Sequence, residues 1–212
     1  MTVAAVDLDL LRAARGIAIV RGTSTEHFGA TARTLAGSGM GLLEFPLTTP
    51  GVLAALRPIA EEVGDRAHVG AGSVTTIGEA RAAVAAGAQF LVTPNVDLAV
   101  IEYAKSLALP AVVGAFSPTE IFTAWNAGAT AVKLFPASVG GPGYVRELKG
   151  GPFPDIPLVP TGGVRLTDVR AFLEAGAVAL GLGGALLGSA ADGGSQDELR
   201  ARIETFRAAV SG

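Results

Sequence analysis

Short apolar runs alternate with longer segments of mixed Ala, Leu and charged residues along the whole chain. The runs predict eight strands: IAIV (17–20), GLLEF (41–45), AHVGA (67–71), QFLV (89–92), AVVGA (111–115), AVKLF (131–135), PLVP (157–160) and VALGL (178–182). Between them, segments such as STEHFGATARTLAG (24–37), TTPGVLAALRPIAEEVG (48–64) and SPTEIFTAWNAG (117–128) have helical spacing. Ser or Thr stands where each start would be capped, and Gly where each helix would stop. A leading helix is expected over 7–15.

Strands alternating with helices imply parallel strands joined by crossovers. Eight units in 212 residues leave about 26 residues per unit, near the minimum for a (β/α)8 TIM barrel. An internal repeat supports the count. Gly39, Gly87, Gly128 and Gly176 each end a helix before a strand, at separations of 48, 41 and 48 residues, the spacing of two βα units. No linker interrupts the series, so a single domain over 1–212 is expected, with the short N-terminal helix closing the bottom. A doubly wound open sheet is the structural alternative, because periodicity does not show closure. The polar, Gly-rich stretch 189–198 reads as a surface connection before the last helix.

Half of the residues are hydrophobic, 17% are charged, and the net charge is −3. That describes a globular chain without the concentrated Lys/Arg that nucleic acid or an anionic membrane demands. The absence of cysteine excludes disulfides, thiolate metal sites and cysteine nucleophiles. The N-terminus lacks the order of a signal peptide, and the longest uncharged run is broken by glycines and too short for a membrane span. A soluble, cytoplasmic protein is expected. Its chemistry must come from Lys, Glu, Arg, Thr and backbone groups.

Against that background one lysine stands out. The chain has three, and Lys133 alone lies inside an apolar run. On AVKLF, Val132 and Leu134 share the face that helices would cover, so Ala131, Lys133 and Phe135 point into the barrel. The same parity on GLLEF sends Glu44 inward, and Arg21 lies at the end of the first strand. A lone strand lysine is ordinarily a rim residue or half of a structural ion pair. Desolvation costs several kcal/mol per buried ion, however, and such pairs seldom improve on apolar packing. Charged groups gathered at the catalytic end of one barrel therefore want a functional reason. An amine kept from water is more readily neutral, attacks a ketone, and forms an iminium that withdraws electrons. A nearby carboxylate then moves protons.

The last two strands end on paired glycines. VPTGGV (159–164) and GLGGALL (181–187) close strands seven and eight, the recurrent phosphate loops of barrels. VGAGSVTT (69–76), which contains Ser73, reads equally as a similar loop or as a tight turn with a Ser/Thr cap. VTPNVD (92–97) reads as a turn capped by Asn95 or Asp97. His27 and His68 read as a helix-face and a strand residue without chemistry, Phe122 and Trp125 as helix-to-sheet packing, and Glu61, Glu62, Glu102 and Glu120 as solvated helix faces.

The ordered stretches IVRG, LLEFPLTTP, VGAGSV, LVTPN, AVKLFPAS, PTGGV and GLGGALL resemble the 2-keto-3-deoxy-6-phosphogluconate / 2-keto-3-deoxy-6-phosphogalactonate aldolase family over about residues 17–190. The RG after strand one and E-x-P-L-x-x-P after strand two look closer to the phosphogalactonate branch. The resemblance implies a class I aldolase, a lyase releasing pyruvate and glyceraldehyde 3-phosphate from a phosphorylated keto acid, without metal or cofactor, and a homotrimer. Lys133 matches the imine-forming lysine and Glu44 the general acid/base. Pro94 and Phe135 match the walls of the pyruvyl pocket, Arg21 its carboxylate ligand, and Thr161, Gly162, Gly163, Gly183 and Gly184 the phosphate and substrate loops. Thr48 and Ser73 are counted with the substrate-binding residues. Two departures stand out. Thr48 occupies the place of an arginine in the phosphogluconate branch, and Gly184 that of a serine in many members. Rival readings are a 4-hydroxy-2-oxoglutarate aldolase on the same lysine, a phosphate-binding barrel isomerase or epimerase, and a non-catalytic sensor of a phosphorylated keto acid.

Overall fold

The computed structural model describes residues 6–151 and 153–211. The expectation of one domain over 1–212 extends over residues 1–5, Pro152 and Gly212, which lie outside the described residues. The first half runs α1 (Leu8–Ala14), β1 (Gly16–Ile19), α2 (Phe28–Gly37), β2 (Leu42–Pro46), α3 (Val52–Val63), β3 (His68–Gly72), α4 (Ile77–Ala85) and β4 (Leu91–Val92). The second runs α5 (Leu98–Ser106), β5 (Ala111–Ala115), α6 (Pro118–Ala127), β6 (Ala131–Leu134), α7 (Ala137–Gly150) and β7 (Leu158–Pro160). It ends with α8 (Val169–Glu174), β8 (Leu180–Leu182), α9 (Gly184–Leu187) and α10 (Gln196–Ser211).

All strand pairs are parallel, in the order β7-β6-β5-β4-β3-β2-β1-β8. The two ends of that order meet: Thr161 bridges Gly181 in parallel, and Val178 N–H donates to Leu158 O at 3.0 Å. The chain forms a (β/α)8 TIM barrel with an N-terminal helix, and the open-sheet alternative falls.

Side-chain parity sorts the strands into two apolar clusters. Leu43, Phe45, Val132 and Leu134 face outward and pack with the helices. Ile17, Leu42, Phe90, Val112, Ala131, Val159 and Ala179 fill the lower interior, together with Val6 and Leu11. Thus α1 lays Leu11 into the floor of the barrel. Asp7 caps this helix by accepting from Leu10 N–H at 2.8 Å. Burying a side chain such as Leu11 contributes about 1.5–3 kcal/mol.

The upper interior is built differently, because glycines make room there. A Cβ on Gly72 would stand 2.0 Å from Glu44 Oε1, one on Gly114 2.2 Å from the Pro94 carbonyl carbon, and one on Gly181 2.3 Å from Thr161 Oγ1. The space these residues give up is taken by polar side chains and turns, and the apolar filling of the lower barrel ends below them.

Several local expectations need correction. β4 keeps only two residues, because Gln89 Oε1 accepts from Val69 N–H at 2.7 Å in place of a ladder carbonyl. α2 starts at Phe28 with His27 in the cap position and no side-chain cap bond, so His27 is not on a helix face. α3 starts after Gly51, whose φ of 81° no Ser or Thr would readily adopt. Glu120 is no free solvated carboxylate; it accepts from Phe116 N–H, Ser117 N–H and the Ser117 hydroxyl in a capping box. Phe122 is exposed and stacks on Phe153 at 6.2 Å between ring centroids, so it does not pack helix to sheet. Of the two cap candidates after β4, Asp97 is the one used, accepting from Val100 N–H at 2.9 Å.

Candidate active site

β6 carries Lys133 into the barrel because its outward neighbours, Val132 and Leu134, are buried under helices. β2 carries Glu44 inward by the same parity, between Leu43 and Phe45. Both are nearly buried, with Lys133 6% and Glu44 2% exposed. Both line one cavity of about 480 Å³, with Arg21 at the end of β1. This is a size that suits a small organic ligand. Among the described residues no ion pair within 4 Å joins Lys133 to Glu44.

Two ionisable groups brought so far out of water without direct pairing cost stability, and apolar side chains of equal volume would cost less. The balance is visible at Glu44. Burial pushes its carboxyl above the ordinary range, and the positive charges of Lys133 and Arg21 hold it back only in part. A carboxyl so placed can carry a proton or release one at pH values where an exposed glutamate stays ionised.

Phe135 forms the wall beside the lysine. Lys133 Nζ stands 5.0 Å from the ring centroid, within reach of the ring's negative face. The ring in turn rests on Gly162, where a Cβ would stand 2.9 Å from it. Gly162 and Gly163 hold φ values of 90° and 75°, which side-chain-bearing residues rarely adopt. They turn the chain so that Thr161, Gly162, Gly163 and Val164 face the cavity. Beside them, after the adjoining β8, lie Gly183, Gly184 and Ala185. The N–H groups of Gly163, Gly183 and Gly184, in the loop after β7 and at the start of α9, make no loop or cap hydrogen bond to the backbone among the described residues, which leaves donors suited to an anion.

Of the sequence-derived candidates, Arg21, Glu44, Lys133, Phe135, Thr161, Gly162, Gly163, Gly183 and Gly184 line this cavity, and Thr48, Ser73 and Pro94 do not. Thr48 is exposed on the turn after β2. Ser73 follows Gly72 with a φ of 56°. Pro94 packs on Gly114, which is in register with Lys133 on the adjoining strand. The turn holding Pro94 is fastened by buried Thr93, whose hydroxyl donates to Asn95 O at 2.6 Å and accepts from Gly114 N–H at 3.0 Å. Sequence reasoning missed Thr93, and it missed Ile19, Val164, Arg165, Gly181 and Ala185 among the lining. Arg165 could have been found, since it follows a strand end as Arg21 does.

Known proteins similar to this chain are named as aldolases. The chain is 35% identical over 167 residues to the 2-dehydro-3-deoxy-6-phosphogalactonate aldolase of Escherichia coli (strain K12), covering 79% of this chain and 82% of the relative. It is 40% identical over 145 residues to the 2-dehydro-3-deoxy-phosphogluconate aldolase of Pseudomonas aeruginosa, covering 67% of this chain and 64% of the relative. A solved native KDPGal structure superposes with a TM-score of 0.86 at 32% identity, over 92% of this chain and 94% of that one. The model of the KDPG and KHG aldolase family matches residues 8–201. The chain therefore belongs to the KDPG and KHG aldolase family, whose named members here are aldolases and so carbon–carbon lyases.

Proposed function

We propose that the chain is a class I aldolase that cleaves a 2-keto-3-deoxy-6-phospho-sugar acid, galactonate or gluconate, to pyruvate and glyceraldehyde 3-phosphate. The observation that carries this reading is the buried Lys133 facing the same cavity as a carboxyl whose ordinary acidity burial has weakened. The phosphorylated substrates named for the relatives above support the choice of substrate class.

Lys133 Nζ attacks carbon 2 of the keto acid, and the resulting carbinolamine loses water to give an iminium. Arg21, which lines the same cavity, binds the adjacent carboxylate. Glu44 takes the proton of the carbon-4 hydroxyl as the carbon 3–carbon 4 bond breaks. The bonding electrons pass into the iminium, leaving an enamine and freeing glyceraldehyde 3-phosphate. Glu44 returns its proton to carbon 3, water adds to the imine, and pyruvate leaves with Lys133 restored. The iminium is the electron sink throughout. The glycine loops after β7 and β8 hold the phosphate by backbone N–H groups.

Coupled assay of pyruvate release from the two phosphorylated acids and from 4-hydroxy-2-oxoglutarate tests the assignment. A kcat/KM at least tenfold higher for one of the phosphorylated acids is expected. Preference for 4-hydroxy-2-oxoglutarate would overturn the substrate, and no pyruvate from any of them would overturn the reaction.

A further inference from the structure

Four charged side chains line the cavity: Arg21, Glu44, Lys133 and Arg165. The proposed reaction uses the first three at the keto-acid end. The remaining one, Arg165, lies on the loop after β7, just beyond the Gly162–Gly163 turn, where Gly163 N–H makes no loop hydrogen bond to the backbone among the described residues. The adjoining loop offers backbone donors and no side-chain donor, because Gly183 and Gly184 have no side chains. A Cβ on Gly184 would meet nothing within 4 Å. That position has room for a hydroxyl, and the chain does without one.

We infer that Arg165, oriented by Asp168, is the cationic arm of the phosphate end and sets the preference for a phosphorylated substrate. This rests on the aldolase reading above. Asp168 grips the guanidinium edge-on, with Nε at 2.7 Å from Oδ2 and Nη2 at 2.9 Å from Oδ1. A guanidinium has five N–H donors. Asp168 takes one on Nε and one on Nη2, which leaves both on Nη1 and the second on Nη2 for another anion. The Thr167 hydroxyl also donates to Asp168 Oδ1, at 3.3 Å, which steadies the carboxylate. The Arg165 side chain is 76% exposed and Asp168 only 23%, so the carboxylate is the fixed partner and the guanidinium the reaching one. Such a fork matches phosphate oxygens where a lysine would offer only a point charge. A surface i,i+3 pair with no further task would account for the Asp168 contact alone, and would not require the arginine to line the cavity.

The test runs the reaction in the direction of synthesis, adding pyruvate to glyceraldehyde 3-phosphate or to unphosphorylated glyceraldehyde. The readout is the ratio of the two kcat/KM values. Arg165→Gln is expected to lower that ratio about 10- to 100-fold, the range of one to two charge-assisted hydrogen bonds, chiefly through KM for the phosphorylated aldehyde. Arg165→Lys should recover part of the loss. Asp168→Asn should lower the ratio less than Arg165→Gln does, since the charge stays and only its orientation goes. An unchanged ratio in Arg165→Gln, or a parallel fall with both aldehydes, overturns the inference and leaves the aldolase reading standing. Failure of the parent protein to add pyruvate to either aldehyde overturns that reading and the inference with it.

Discussion

The Glu44 carboxylate lies directly against Gly72, the last residue of β3, so closely that a Cβ there would stand 2.0 Å from Oε1. Strand β3 thus receives the carboxylate that β2 aims inward. The position has no left-handed φ, so what it demands is space, not backbone freedom.

Gly72→Ala is accordingly expected to move Glu44 without disturbing Lys133. A displacement near 1 Å costs about 100-fold in turnover when the moved group acts on the substrate. Cleavage should fall by roughly that factor, while trapping of pyruvate on the lysine persists. Retention of full turnover would show that the carboxylate does not need this berth.

Burial raises the Glu44 pKa, so between the ordinary value and the raised one the folded chain keeps a proton that the unfolded chain has released. Stability falls as pH rises through that window, and the whole penalty is present above the raised pKa. Glu44→Gln removes it. The variant should melt above the parent at alkaline pH, where each kcal/mol gained raises the melting temperature by about 2–4 °C for a chain this size. The difference should shrink toward about pH 4. Its turnover should fall by about 100-fold or more. Paired thermal melts at the two pH values decide the point, and a variant less stable than the parent at the higher pH would contradict the sign.

Asp192 fastens the loop that carries Arg21. Its Oδ1 accepts from Thr23 N–H at 2.7 Å and from the Thr23 hydroxyl at 2.8 Å, and those two bonds hold its own pKa below the usual range. Asp192→Ala is expected to free this loop and raise KM for pyruvate about three- to tenfold, with kcat less affected. Steady-state kinetics of the synthesis direction measure the split. A loss confined to kcat would mean that the loop serves a later step.

The inward course of Lys133 and Glu44 could be read from the chain because strand parity has a period of two and the outward neighbours are unmistakably apolar. The glycine loops after β7 and β8 could be read for the same kind of reason, since they follow strand ends in order. Asp192 could not. Its partner Thr23 lies far away along the chain, and nothing local marks an aspartate in a polar loop as the anchor of another loop. Arg165, beyond the end of β7, was open to the same reading as Arg21. The helix starts at Phe28 and Val52 were misplaced because the segments 24–37 and 48–64 open on Ser and Thr residues that look like caps. Thr49 instead donates its hydroxyl to Gly22 O at 3.2 Å, again tying the Arg21 loop. At Thr49 a tertiary bond had claimed the side chain before local capping could.

The central claim is that Lys133 condenses with a keto acid. Borohydride reduction of the protein in the presence of pyruvate, followed by mass analysis of its peptides, tests it most directly. A reduced pyruvyl adduct on the peptide containing Lys133, lost in Lys133→Arg together with turnover, is the predicted result. An unmodified Lys133 peptide from an active preparation, or undiminished cleavage by Lys133→Arg, would contradict it.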